Sequence, residues 1–180
     1  MTVYLSRGEH DPECSVSLPA TANELEQVKE ALQTDCLGNA VIRDISIEYS
    51  WARLLPMDSI TLDDANLLAQ FVQRMSESEL RTFGAALEAE KPATFSDAVC
   101  VAENIDDYEL VDLTDDAYGR DALRKAGATD EVFELLDGFL DYERLGSAQM
   151  EADGVRSTSY GLVLCPSSHH PHQEIGEMQL

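Results

Sequence analysis

The sequence predicts an α+β fold in three successive segments, within a length that allows one ordinary domain or two to three very small ones. Two observations carry that expectation. The hydrophobic period is mixed over residues 1–57, wholly helical over 58–102, and mixed again over 103–164, with a polar tail at 165–180. The charge is strongly one-sided: 35 Asp and Glu against 12 Lys and Arg give a net −23 over 180 residues. A chain that is also 44% hydrophobic, with Trp51, six Tyr and five Phe, has the apolar content to fold rather than remain a disordered acidic tail.

In the first segment, Thr2 to Leu5 and Ser15 to Leu18 read as short strands separated by a polar turn with Gly8, Asp11 and Pro12. Thr21 with Glu24 forms a capping box, in which hydroxyl and carboxylate each satisfy a free amide of a helix's first turn. Leu25, Val28 and Leu32 share a face of that helix, and Gly38-Asn39 is expected to end it. Val41 to Tyr49 alternates, with Ile45, Ile47 and Tyr49 on one side, and reads as a half-buried strand.

The middle segment repeats the N-terminal helix signal three times, at Thr61 with Asp64, Ser76 with Glu79 and Thr94 with Asp97. Each is followed by an apolar stripe, and Pro92 separates the second helix from the third. A small helical bundle is expected, with Asp63, Glu77, Glu88 and Glu90 on its outer faces. In the third segment Tyr108 to Leu113 reads as a strand and Asp115 to Ala126 as a helix closed by Gly127. A helical stretch over 130–149, interrupted at Asp137-Gly138, and a final strand from Val155 to Leu164 complete the segment. The histidine-rich tail is expected to fray.

The charge excludes some functions. Self-repulsion on this scale keeps a protein from nucleic acid and anionic membranes, so the surplus serves either solubility or a cationic partner. No apolar run reaches the roughly 18 residues needed to span a bilayer, and Met1 to His10 has no basic region followed by an apolar one, so a cytoplasmic location is expected. Cys14, Cys36, Cys100 and Cys165 are far apart and suggest neither a zinc site nor a disulfide framework. Cys165 with His169, His170 and His172 is the nearest approach to a metal-ligand set, on a tail with nothing to hold its geometry.

No phosphate-binding loop, H-E-x-x-H, G-x-S-x-G or EF-hand spacing occurs. The adjacent carboxylates Asp63-Asp64, Asp106-Asp107 and Asp115-Asp116 are what such an acidic composition produces without selection. No catalytic residue, cofactor or metal ligand is therefore assigned, and the protein is not expected to be an enzyme.

The informative feature is the run from Glu103 to Asp116. Glu103, Asp106, Asp107, Glu109, Asp112, Asp115 and Asp116 put seven acids in fourteen residues with no base among them. A solvated face is the ordinary reading of such a run. Here it is interleaved with Ile105, Tyr108, Leu110 and Val111, which would hold the acids on an ordered scaffold, and every segment shares the sign: −5, −5, −11 and −2. Duplex DNA carries about one negative charge per 1.7 Å, so 23 charges laid along a rod match roughly 12 base pairs. A chain acidic along its whole length can imitate duplex DNA.

The order of features then resembles the ArdA antirestriction family. The resemblance runs over about residues 2–164, beginning with Val3-Tyr4-Leu5, the step Ser17-Leu18-Pro19-Ala20-Thr21 and the strand at 41–49. It continues through Ala65-Asn66-Leu67-Leu68-Ala69 into Ser78-Glu79-Leu80, and through Glu103-Asn104-Ile105-Asp106-Asp107-Tyr108. Leu140-Asp141-Tyr142-Glu143-Arg144-Leu145-Gly146 and Tyr160-Gly161 close it.

The resemblance implies an elongated, acidic DNA mimic of three small domains, dimeric and carried by mobile elements, that occupies the DNA-binding groove of a type I restriction-modification enzyme. It also places the family's antirestriction stretch at Glu131 to Glu143, adding Glu131, Glu134, Asp137, Asp141 and Glu143 to the mimic surface. Two rivals stay open: the same mimicry aimed at another DNA-acting defence enzyme, such as a CRISPR effector, and an acidic adaptor or chaperone for a basic protein.

Overall fold

The computed structural model describes residues 1–8 and 13–166. The histidines singled out above, His169, His170 and His172, lie outside the described residues. Within the described residues the chain is a mixed α+β protein of seven α-helices and two three-stranded antiparallel sheets.

In the first sheet β1 (Thr2–Ser6) lies between β2 (Cys14–Ser17) and β3 (Val41–Ser46). Period two along β1 sends Val3 and Leu5, both fully buried, to the same face. There they meet Val28 and Leu32 of α1 (Ala22–Leu32). Thr21 and Glu24 form the expected capping box, the Glu24 carboxylate accepting the Thr21 amide at 2.7 Å. The helix ends earlier than Gly38-Asn39: Gln33 adopts the left-handed conformation that closes it, and Thr34 turns its hydroxyl to the Cys36 carbonyl. The alternation at 41–49 forms a ladder only as far as Ser46. Beyond it, Tyr49 stacks on Trp51 at 5.1 Å and the chain turns into a short 3-10 helix at Ser50–Leu54.

The helices of the middle segment are α2 (Leu62–Arg74), α3 (Glu77–Glu90) and α4 (Phe95–Glu103), each opened by the hydroxyl residue expected. At Ser76 and Thr94 the capping box is complete, with Glu79 and Asp97 accepting the cap amides at 2.6 and 2.9 Å. At Thr61 half of it forms, the hydroxyl accepting the Asp64 amide at 3.1 Å.

Helix α2 has two apolar faces. Leu62, Ala65 and Ala69 complete the core of the first sheet, while Leu68 and Val72 enter a central core with Trp51, Phe83, Leu87, Phe95 and Val99. Helix α3 is divided likewise: Phe83, Ala86 and Leu87 face the central core, and Ala85 and Ala89 face Val163. The apolar clusters therefore run across the junctions at 57/58 and 102/103 rather than stopping there.

The third segment holds β4 (Glu109–Val111), α5 (Asp115–Lys125), α6 (Asp130–Leu136), α7 (Tyr142–Asp153), β5 (Val155–Thr158) and β6 (Gly161–Leu164). Its sheet has the order β4-β6-β5. The stretch 155–164, expected to be a single strand, is a hairpin. The Thr158 hydroxyl donates to the Gly161 carbonyl at 2.7 Å and accepts the Tyr160 amide at 3.2 Å, which closes the turn. Helix α7 runs four residues past Gln149 and ends at Gly154.

Helices α5 and α7 cross at Gly119 and Gly146. A methyl group on Gly119 would overlap the Tyr142 carbonyl oxygen, and one on Gly146 the Asp115 carbonyl oxygen, so the backbones touch without side chains between them.

Candidate functional site

The acidic run is carried by four elements in succession. Glu103 ends α4, Asp106 and Asp107 lie on a 3-10 turn at Ile105–Asp107, Glu109 stands on β4, and Asp115 and Asp116 open α5. The interleaved apolar residues hold this path: Ile105 and Tyr108 pack on the central core, Leu110 on the Ala85–Val163 patch, and Val111 on Met150 and Leu162. Because the apolar side chains turn inward, Glu103, Asp106, Asp107, Glu109, Asp112 and Asp116 are exposed, and Asp115 is half-buried. The Thr114 hydroxyl caps α5 by accepting the Ala117 amide at 3.3 Å, and Asp115 and Asp116 sit at the positive end of the helix dipole.

Some of the other candidates are drawn into this region. Glu77 of α3 shares an open cleft of about 440 Å³ with Asp112 and Arg81. Glu90 acts on Tyr108 and Cys165: burial first, then the Glu90 charge, pushes the Tyr108 hydroxyl up to about 12 and the Cys165 thiol up to about 11. Neither group ionises at neutral pH. The carboxyls of Glu24, Glu79, Glu131 and Asp153 are shifted downward by hydrogen bonds to Thr21, Ser76, Thr129 and Tyr118 respectively, so each stays charged well below neutrality.

Glu88 departs from expectation. It is half-buried, and its carboxylate accepts the Ser159 amide at 3.0 Å and the Ser159 hydroxyl at 2.5 Å, so it holds the β5–β6 turn instead of standing on an outer face. Asp63 is exposed in the first turn of α2.

The acids of 131–143 form a second group. Glu131 and Glu134 are exposed on α6, Asp141 caps α7 by accepting the Arg144 amide at 2.9 Å, and Glu143 is exposed in the first turn of α7. Arg120 joins the two groups, its Nε 3.0 Å from Asp116 and an Nη 4.0 Å from Asp137. Its guanidinium also lies 3.9 Å above the Tyr142 ring.

Sequence reading missed two features. One is an exposed apolar patch on α6 and the loop after it, where Leu135 is 75% and Phe139 89% exposed beside Val132. The other is the set of polar bonds that Arg81, Glu88 and Ser50 make to Ser159 and Tyr160. A trace of the second was present in Gly84-Ala85-Ala86, a small-residue step inside a helix that marks a close neighbour.

Among the described residues no three His, Cys, Asp or Glu side chains are grouped to hold a metal ion, and no helix is long and apolar enough to cross a membrane. Set against models of known families the chain matches none, and no curated protein matches it.

Proposed function

We propose that the protein is an antirestriction protein, an acidic DNA mimic that occupies the DNA-binding groove of a type I restriction-modification enzyme, like the ArdA family that it resembles. The observation that carries the reading is the run at 103–116, whose exposed carboxylates stand on a path anchored by Ile105, Tyr108, Leu110 and Val111. Acids at set positions on a rigid support can be matched to the phosphate-binding groups of a groove. Acids on a loose tail would pay an ordering cost for each contact.

In this reading the segments 1–57, 58–102 and 103–164 lie in series as an elongated cytoplasmic protein that needs no cofactor and does not itself bind nucleic acid. The succession of cores supports it, since the first passes to the central one through α2 and the central one to the last through α3.

The test is competition with a duplex carrying the enzyme's recognition site. Competitive displacement at stoichiometric protein is expected; inhibition that leaves DNA affinity unchanged would overturn the reading. Loose binding to many basic proteins would favour the adaptor, and competition at a different DNA-acting enzyme would move the target.

A homodimer belongs to the same proposal. Leu135 and Phe139 are exposed on and just after α6, whose acids Glu131 and Glu134 are exposed as well. In the proposed dimer the patch of one copy covers that of the other across a two-fold axis, which buries both aromatic rings. A Phe139→Asp variant is expected to sediment as a monomer where the wild type sediments as a dimer, because an exposed aromatic anchor lost at an interface centre costs about 2 kcal/mol or more. An unchanged sedimentation coefficient would remove the patch from the interface.

A further inference from the structure

Arg81, Gly84, Ala85, Glu88 and Ala89 are spaced 0, 3, 4, 7 and 8 along α3 and so share one face of the helix. That face meets the β5–β6 hairpin. Ala85 and Ala89 pack on Val163, with Tyr108, Leu110 and Tyr160 packed around them in an apolar contact. Such a contact is non-directional, and by itself it lets one element slide or swivel on the other.

The polar groups on the same face remove that freedom. Arg81 donates from Nε and Nη2 to the Tyr160 carbonyl at 3.0 and 2.8 Å. Two turns further on, Glu88 grips Ser159 through its amide and its hydroxyl. Between them the Tyr160 ring lies so close over Gly84 that a Cβ there would come within 2.7 Å of it. The Tyr160 hydroxyl reaches on to the Ser50 hydroxyl at 3.2 Å, in the first segment.

We propose that the Ser159–Tyr160 turn is the positioning element of the acidic surface, with Arg81 and Tyr160 as its positioning residues. The turn belongs to β5–β6, β6 is hydrogen-bonded to β4, and β4 carries Glu109 and leads to Asp112. Gripping the turn from both ends therefore sets where the acids of the third segment stand relative to those of the first two. This rests on the DNA-mimic reading: many weak contacts add only if their spacing is fixed before binding.

The test exploits a conflict of sign. Arg81→Met deletes both bonds to Tyr160 and makes the chain more acidic. If charge alone decides affinity, the variant binds the restriction enzyme as well as or better than wild type. If the turn positions the acids, binding weakens about tenfold, the scale of losing a charged hydrogen bond. Amide hydrogen exchange should then accelerate at 159–164 and 109–111 while the first sheet stays protected. Arg81→Lys, which keeps the charge and a donor, should restore most of the affinity.

Should Arg81→Met fail to fold, Ser159→Ala carries the same expectation at about threefold, since it removes the hydroxyl's bond to Glu88, leaving the amide's, without removing any charge. Unchanged or tighter binding by the folded variant, or unchanged exchange in the hairpin, overturns the proposal alone. A wild type that fails to compete with the duplex overturns the mimic reading and this proposal together.

Discussion

A Gly119→Ala or Gly146→Ala variant is expected to melt about 4–8 °C below the wild type. Two effects oppose each other. Alanine is the better helix former by about 1 kcal/mol, so each change would stabilise an isolated helix. Against this stands the overlap of the new methyl with a main-chain carbonyl of the partner helix, Tyr142 in one case and Asp115 in the other. A clash with backbone cannot be relieved by a rotamer change, so the cost is taken at the upper end of the overpacking range, about 3 kcal/mol. The difference of about 2 kcal/mol converts to the stated shift for a chain of this size.

Thermal unfolding followed by circular dichroism measures it. Ser147→Ala serves as the control, because Ser147 is exposed on α7 next to Gly146 and an alanine there meets no clash. A Gly119→Ala protein that melts with the wild type would mean that α5 and α7 do not cross where Gly119 and Gly146 meet.

The quadruple variant Asp106→Asn, Asp107→Asn, Glu109→Gln, Asp112→Asn is expected to lose between about fivefold and several hundredfold in affinity for the restriction enzyme, while Asp106→Asn alone loses at most several-fold. All four side chains are exposed. An exposed ion pair contributes only about 0.2–1 kcal/mol, so single losses are small and four together also lower the steering field. The loss should shrink at higher salt, because the Debye length falls from about 10 Å at 0.1 M to about 3 Å at 1 M. Affinities of the single and quadruple variants at two ionic strengths decide it, with folding checked in parallel. A single substitution that abolishes binding of a folded protein would point to a discrete site in place of a collective surface.

Much of the local structure was legible because its causes are local. Thr21, Thr61, Ser76 and Thr94 each announced a helix start, since a hydroxyl three residues ahead of a carboxylate can satisfy amides that nothing else in the first turn satisfies. The acids at 103–116 were legible as a surface for a similar reason: charge has no place in a core, and Ile105, Tyr108, Leu110 and Val111 between them turn inward while Leu113 stays exposed.

Where the reading failed, a distant partner decided the outcome. The strand beginning at Val41 stops at Ser46 as Tyr49 turns to stack on Trp51, and the expected strand at 155–164 folds back because Thr158 closes a turn that α3 then holds. Glu88 looked like any other outward acid on an amphipathic helix. Its neighbour Ser159 lies 71 residues away, and no periodicity encodes that meeting.

The sequence by itself thus determined the mixed α+β class, most helix starts and the exposure of most acids at 103–116, all of which follow from hydrogen-bond supply, hydrophobic period and the cost of burying charge over short stretches of chain. The tertiary structure alone decided that α2 and α3 each serve two cores, that Gly119 and Gly146 let two backbones touch, that Phe139 stands uncovered, and that Arg81 and Glu88 clamp a hairpin turn. These depend on which surfaces meet between elements far apart in the sequence, and that is settled by the packing of the whole chain at once.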